Sequence, residues 1–224
     1  MGDHVGDDTM RTEPTQQRSR ETVSDVLASA NAEFAEHGFH GAQMTRIARR
    51  AEVSVGALYR FFPDKQSLAT ALADEYREQV EQRYGEVLAD VASPEQLVPA
   101  VRTIIRVAGE LQREHPGYYR LTSDVNPSQD ASWGHGVRAG LIEQFTSGLR
   151  ALGVKRSDGV RVIEFTIEVT RATLATLPVD GPRRDEVLAE LEEMIAVYLA
   201  ARLDLPSPDT PGGAWWSRRA FRRR

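Results

Sequence analysis

Residues Thr45 to Lys65 read TRIARRAEVSVGALYRFFPDK and predict two short helices joined by a tight turn, with a third helix directly after them. In the first helix, Ile47, Ala48 and Ala51 fall on one stripe at helical spacing, so we expect them to be buried. We place its start at Thr45, whose hydroxyl can cap exposed backbone N–H groups.

The second helix is predicted over Val55–Phe62, after a turn formed by residues 52–54. Ser54 is placed to cap this helix, while Leu58, Phe61 and Phe62 face inward. The outward residues are small at the start of the helix and large and polar one turn later. Small side chains let a helix approach a DNA groove closely, and a tyrosine or arginine beyond them can reach phosphate oxygens.

The third helix begins after Pro63, with Asp64 as its cap and Lys65 in its first turn. Backbone N–H groups at a helix start favour an anion such as phosphate. Residues 45–65 carry five basic and two acidic side chains, whereas the whole chain has a net charge of −5. A basic patch on an acidic protein indicates a localised polyanion site.

This segment resembles the DNA-binding domain of the TetR family of bacterial regulators, which has the pattern I-A-x-x-A-G-V-S-x-G-x-L-Y-x-Y-F-x-S-K. The family's first helix is similar to Arg20–His37, where an apolar stripe precedes Gly38 and Phe39. The resemblance covers about the first third of the chain and implies binding to a double-stranded DNA operator. The candidate DNA-binding residues are Thr45, Arg46, Ser54, Val55, Gly56, Ala57, Tyr59, Arg60 and Lys65.

Two residues depart from the family pattern. Glu52 occupies the turn position where glycine is usual, and a left-handed backbone there costs a non-glycine residue roughly 1–2 kcal/mol. Phe61 replaces a tyrosine or histidine that commonly touches phosphate in the family. Either Arg60 compensates for this missing donor, or Phe61 belongs to the core.

Composition indicates an ordinary globular protein of 224 residues, with 41% hydrophobic and 27% charged residues. The absence of cysteine excludes disulfides, a thiolate nucleophile and a cysteine-based zinc site. The polar start MGDHVGDDTM is unlike a signal peptide, and charges interrupt every apolar run before membrane-spanning length. We therefore expect a cytoplasmic protein with no membrane partner.

Beyond residue 63 the apolar residues keep a helical period, which predicts an all-α fold without strands. A long helix is expected over Asp64–Val91, and four more are centred on residues 97–111, 137–152, 160–177 and 187–198. We predict a three-helix helix-turn-helix domain at 18–78 and a C-terminal helical ligand-binding and dimerisation domain at 79–204. Disordered tails are predicted at 1–17 and 205–224, the second rich in arginine.

The stretch GVRVIEFTIEVTRATLATL is apolar on nearly every side, so it is expected to be buried. In a domain this small the natural burial partner is a second copy, and the resemblance implies the same, namely a four-helix homodimer interface. The alternative is a central helix of a monomer. In such a dimer, the two copies of the helix predicted at Val55–Phe62 are related by two-fold symmetry. They fit a pseudo-palindromic operator whose half-sites are one or more turns of the DNA helix apart, at roughly 34–36 Å per turn.

The segment after residue 112 mixes turn formers with aromatic residues. Tyr118, Tyr119 and Trp133 are candidate ligand-binding residues, because aromatic and polar groups together can line a small-molecule pocket; ordinary packing around a loop is the alternative. His115 and His135 lack partners at helical spacing, so no metal site is predicted.

The sequence thus favours a sequence-specific transcriptional regulator, a repressor released from its operator by an unidentified small-molecule effector. The alternative is a helical dimeric module that binds ligands or proteins and carries a vestigial DNA-binding segment. Catalytic motifs such as G-x-S-x-G, H-E-x-x-H and a phosphate-binding glycine loop are missing, so neither an enzyme nor a cofactor is expected. The arginine-rich tail either adds non-specific contacts to DNA or to an anionic membrane, or has no role.

Overall fold

The computed structural model describes residues 9–123, 133–153 and 156–203, and side chains within most of these ranges. Those residues form nine helices and no strand, which confirms the predicted all-α class. The helices are α1 (Thr9–Gly41), α2 (Met44–Arg50), α3 (Val55–Phe61), α4 (Lys65–Ala89), α5 (Pro94–Glu114), α6 (Pro116–Ser123), α7 (Trp133–Ala151), α8 (Arg156–Thr176) and α9 (Pro182–Arg202).

Helices α1 to α3 close around one apolar core. Ile47 and Leu58, from the two short helices, are fully buried together with Val26 and Phe34 of α1. The core continues into the first turns of α4 through Leu68. The predicted inward faces of both short helices are therefore confirmed.

Helix α1 begins at Thr9, upstream of the predicted start at Arg20, so residues 9–17 of the predicted tail are helical. The helix is interrupted at Gly38, whose φ of 64° breaks the regular geometry. Glycine adopts positive φ without the steric cost that a Cβ brings. This glycine thus ends the long part of α1 at the predicted place and turns the chain toward α2.

Helix α4 connects the two halves of the molecule. Asp64 and Ser67 form a capping box at its start, in which the Asp64 side chain accepts from the Ser67 N–H at 2.7 Å. The predicted apolar stripe is buried over most of the helix, at Leu68, Leu72, Tyr76, Val80 and Tyr84. Its last predicted members, Val87, Leu88 and Val91, are only partly buried. The stripe begins among α1–α3 and ends against α7, where Tyr84 contacts Phe145.

Helices α5 and α9 pack closely where Gly109 faces Leu188. A Cβ on Gly109 would lie 3.0 Å from the Leu188 Cδ1 atom, so the small residue permits this approach. The buried guanidinium of Arg184 crosses the same contact, donating to Gln112 and Gly109 of α5 and to the Pro178 carbonyl at 3.0 Å. These bonds to carbonyl and amide oxygens fix the start of α9 on α5.

Helix α6 was not predicted, because Pro116 and Gly117 suggested a loop. Proline is favourable at the first position of a helix, where its missing N–H has no partner to lose. The residues after 123 up to 132, together with the side chains of Trp133 and His135, lie outside the described part of the chain, as does the arginine-rich tail. Among the described helices, none is long and apolar enough to cross a membrane.

Candidate nucleic-acid interface

Helix α3 presents a sharply two-sided surface. Leu58 is fully buried, whereas Val55 and Tyr59 are 40% and 46% exposed, which is unusual for large apolar side chains. Gly56 and Arg60 are exposed beside them. Exposed apolar side chains next to a cation form a surface suited to a partner.

Gly56 leaves the start of this surface open. A Cβ built on Gly56 meets no atom within 4 Å, so the fold does not require a glycine here. The first turn is held by Ser54, whose Oγ accepts from the Ala57 N–H at 3.1 Å. The predicted cap is therefore confirmed, and the helix start is ordered by the side chain that precedes it.

The turn between α2 and α3 contains a strained residue. Glu52 has a φ of 55°, in the left-handed region that disfavours residues with a Cβ. The turn is tied back to α2 by the Val53 N–H, which donates to the Ala48 carbonyl at 3.0 Å. This fixes the angle between the two helices despite the missing glycine.

Phe61 packs half-buried against the apolar core, which supports the core interpretation of this residue. The Arg60 guanidinium carbon lies 5.1 Å from the centre of its ring. Arg60 therefore remains at the exposed side of α3, resting on Phe61.

The first helix of the pair begins one residue earlier than predicted. Helix α2 starts at Met44 with Gln43 as its N-cap, so Thr45 lies within the helix and is not its cap. The Gln43 side chain makes no capping bond. The N-cap residue is instead bound by Glu33 of α1, whose Oε1 accepts a hydrogen bond from the Gln43 N–H at 3.1 Å.

Arg46, a candidate DNA contact, is bound inside the protein. Its Nε donates to Glu33 Oε1 at 2.6 Å, and its Nη2 donates to the Gly41 carbonyl at 2.6 Å. Arg50 on the same helix forms a bidentate pair with Glu36, and this hydrogen bonding lowers the pKa of that carboxyl. Of the arginines of α2, Arg46 is the one tied to a fully buried carboxylate.

Lys65 is also held by protein groups. Its Nζ donates to the carbonyls of His40 and Ala42 at 3.3 and 3.1 Å and lies 4.7 Å from the centre of the Phe39 ring. Burial in this position lowers the pKa of Lys65. Its predicted contact with a phosphate stays a prediction.

A cleft of about 370 Å³ lies between α1 and α2 and is lined by Glu33, Glu36, His37, Arg46, Arg49 and Arg50. It brings together three possible metal ligands that the sequence analysis did not consider, since Glu33, Glu36 and His37 offer atoms within 4.8 Å of one another. Both carboxylates already pair with guanidinium groups. The arrangement is therefore an ion-pair network, and added positive charge there is unfavourable.

Tyr118 and Tyr119 of α6 are buried rather than placed on a loop. The Tyr118 ring stacks on Tyr76 with centroids 3.9 Å apart, and the Tyr119 and Tyr76 hydroxyls are 2.8 Å apart. Burial raises the pKa of Tyr119 to about 12. With Tyr76 of α4, the two tyrosines thus form a buried, neutral cluster between α4 and α6.

The two halves meet at the break between α5 and α6. Asn31 of α1 donates to the Glu114 carbonyl and accepts from the Gly117 N–H, both at 2.8 Å. Arg83 of α4 binds the Glu114 carboxylate at 2.5 and 3.1 Å. Helices from both halves therefore share one hydrogen-bonded junction.

The comparisons with known proteins agree with this geometry. The family described as "Bacterial regulatory proteins, tetR family" matches residues 26–72, which contain the C-terminal half of α1, both short helices and the start of α4. Residues 26–72 therefore match the N-terminal domain of TetR-family regulators. The match covers the part of the chain that carries the exposed face of α3.

Two relatives are similar to the chain over this region. The repressor KstR of Rhodococcus jostii is 36% identical over 73 residues, 32% of each chain. The A-factor receptor protein of Streptomyces griseus is 36% identical over 66 residues, which are 30% of this chain and 24% of the receptor. The alignments thus span about a third or less of these curated relatives.

A solved structure extends the fold comparison to the rest of the chain. The regulator FadR of Bacillus subtilis, in complex with stearoyl-CoA, superposes with a TM-score of 0.61 and 19% identity, covering 79% of this chain and 96% of that one. This likeness shows a shared fold in both halves.

Proposed function

We propose that this protein is a dimeric, sequence-specific DNA-binding repressor of the TetR family that leaves its operator when a small molecule binds the C-terminal half. The observation that carries the proposal is the exposed face of α3. It combines an open glycine with Val55, Tyr59 and Arg60 on a helix whose opposite side is fully buried.

The start of α3 enters the major groove in this proposal. Val55, Gly56 and Ala57 lie against base edges, while Tyr59 and Arg60 reach the phosphates one turn later. Ser54 and Thr45 flank the same groove. In this proposal the Lys65 ammonium, beyond its bonds to the His40 and Ala42 carbonyls, donates to a phosphate of the DNA backbone. The alternative, a vestigial DNA-binding segment, is opposed by the intact cap and core of α3.

The dimer is proposed to form through α8 and α9. Phe165 and Met194 are 51% and 49% exposed in the single chain, and Phe165 lies 5.0 Å from Tyr198 between ring centroids. Exposed large apolar side chains on two long helices favour burial against a second copy. A two-fold axis between copies places two α3 helices on a pseudo-palindromic site.

The effector is proposed to act through α4 and the junction at Asn31. Relatives support the existence of a ligand, since one is named a receptor and FadR was solved with stearoyl-CoA. A ligand that favours a shifted α4 needs a coupling of only about 1–3 kcal/mol to change DNA affinity 5- to 150-fold. The chemical identity of the effector is left to screening.

DNA footprinting on the intergenic region upstream of the protein's own gene tests the proposal. We expect a protected site with two half-sites related by two-fold symmetry, and sedimentation as a dimer at the same concentration. Uniform protection without a discrete site, or a monomer that binds every fragment equally, contradicts the proposed function. A discrete site then serves as the probe for effector screening.

A further inference from the structure

We infer that Arg46 is a positioning residue: acting with Glu33, it sets the docking of α2 and α3 on α1, and it does not contact phosphate. The inference rests on the proposed function, because positioning is meaningful here only if α3 reads DNA. We call the two residues, with the groups they bind, the Glu33–Arg46 clamp.

Glu33 has the features of a structural counter-charge. Its side chain is 1% exposed, and burying a carboxylate is unfavourable unless it is paired and hydrogen-bonded. Oε1 meets both requirements at once, because it accepts from Arg46 Nε at 2.6 Å and from the Gln43 N–H at 3.1 Å. Glu33 therefore joins α1 to the N-cap of α2 and to a residue in its first turn.

The clamp extends to the end of α1, beyond the break at Gly38. Arg46 also binds the Gly41 carbonyl at 2.6 Å, and Lys65 of α4 binds the carbonyls on either side, at His40 and Ala42. Three consecutive carbonyls, at the last two residues of α1 and the residue after them, are thus held by two cations from two helices. This segment follows the break at Gly38, so its conformation sets how α2 leaves α1.

The position of α2 determines the position of α3, because the turn at residues 52–54 is hydrogen-bonded to α2. The Val53 N–H bond to Ala48 fixes α3 relative to α2, so a shift of α2 moves the exposed face of α3 with it. Misplacement of about 1 Å is enough to spoil a docked geometry. A phosphate contact by Arg46 would have to break its bonds to a buried carboxylate, which leaves that charge unpaired.

The test compares specific and non-specific DNA affinity of the full chain over a salt series. The probes are the footprinted operator and a scrambled fragment, and the variants are Arg46→Ala, Arg46→Lys, Glu33→Gln and the pair Glu33→Gln with Arg46→Ala. Arg60→Ala serves as the control for a phosphate contact. Circular dichroism at the assay temperature verifies that each variant is folded; Arg46→Lys keeps the charge and serves if Arg46→Ala is unfolded.

We expect Glu33→Gln, Arg46→Ala and Arg46→Lys each to lower operator affinity by about tenfold while affinity for scrambled DNA and the salt slope stay unchanged. The double variant Glu33→Gln with Arg46→Ala should lose no more operator affinity than either single variant, because both substitutions remove the same clamp. Arg60→Ala should reduce the slope of log K against log salt by about 0.9.

The opposite pattern overturns the inference. If Arg46→Ala lowers the salt slope by about 0.9 and weakens both DNA fragments equally, while Glu33→Gln binds as the wild type does, Arg46 is a phosphate contact. A wild-type protein that does not distinguish operator from scrambled DNA instead refutes the proposed function, and the inference with it.

Discussion

The Gly117 N–H donates to Asn31 Oδ1 at 2.8 Å, across a contact so close that a Cβ on Gly117 would lie 2.2 Å from the Asn31 carbonyl oxygen. Asn31 belongs to the DNA-binding domain, and Gly117 lies in the first turn of α6, the helix that carries the buried tyrosines. The two halves therefore touch backbone to backbone at this point. A shift of α6 cannot occur there without displacing α1 or breaking this bond.

Gly117→Ala should destabilise the protein and weaken DNA binding together. The added methyl group cannot fit without moving α1, and overpacking of this kind costs about 1–3 kcal/mol. Chemical denaturation measures the change in the free energy of unfolding. Gly148→Ala in α7 is the matched control, since a Cβ there meets nothing within 4 Å; equal behaviour of the two variants contradicts the close contact.

Stability should fall as the pH drops below about 6.5, and His115 should be a cause. Its Nε2 is 3.0 Å from Gln79 Oε1, its Nδ1 is buried without a partner, and burial lowers its pKa. The imidazole of His115 therefore binds a proton more readily in the unfolded chain than in the folded protein. The free energy of unfolding is unaffected above the unfolded pKa of histidine. Below that pKa it falls by at most about 1.4 kcal/mol per pH unit.

Urea denaturation between pH 7.5 and 5 of the wild type and of His115→Gln checks this dependence. The variant keeps a hydrogen-bonding group toward Gln79 but cannot titrate, so its stability should depend less on pH. The partly exposed His37 provides the control as His37→Gln. An identical pH profile for wild type and His115→Gln rules out His115 as a cause.

Glu52→Gly should stabilise the protein by about 1 kcal/mol. The left-handed backbone at Glu52 costs a residue with a Cβ roughly 1–2 kcal/mol, and part of the gain is offset by the greater freedom of glycine in the unfolded chain. Glu52→Ala keeps the strain and separates it from the loss of the carboxylate. If alanine stabilises as much as glycine, the effect lies in the charge and not in the backbone.

Gly56→Ala should leave the fold unharmed and impair DNA binding. The site is open in the free protein, and alanine favours helix over glycine by up to about 1 kcal/mol. Against a DNA groove, the same methyl group obstructs the close approach and costs about 1–3 kcal/mol of binding. Unchanged operator affinity in a stabilised variant shows that this part of α3 does not enter the groove.

Short-range features of this fold were readable from the sequence. The caps at Ser54 and Asp64 and the stripe of α4 depend on residues within one or two turns, and the structure confirms them. The left-handed turn at Glu52 followed from the family pattern, in which glycine is usual. Local chemistry and a specific motif thus predicted most of the DNA-binding domain.

Features that join distant residues were missed. Asn31 and Gly117 are 86 positions apart, and no pattern in either segment marks the pair. Glu33 did leave a signal, because it falls seven residues after Val26 on the buried stripe of α1, where a charge needs a partner. Arg46 looked free for DNA because its sequence neighbours do not reveal the carboxylate that binds it.

The central claim, that the exposed face of α3 reads DNA, is tested most directly by fluorescence anisotropy with the upstream operator and a scrambled fragment. The wild type should prefer the operator by at least about a thousandfold. Tyr59→Ala and Arg60→Ala should each lose affinity while the melting temperature stays within about 2 °C of the wild type, as expected for exposed side chains. Equal affinity for both fragments, or a loss of stability that accounts for the lost binding, contradicts the account.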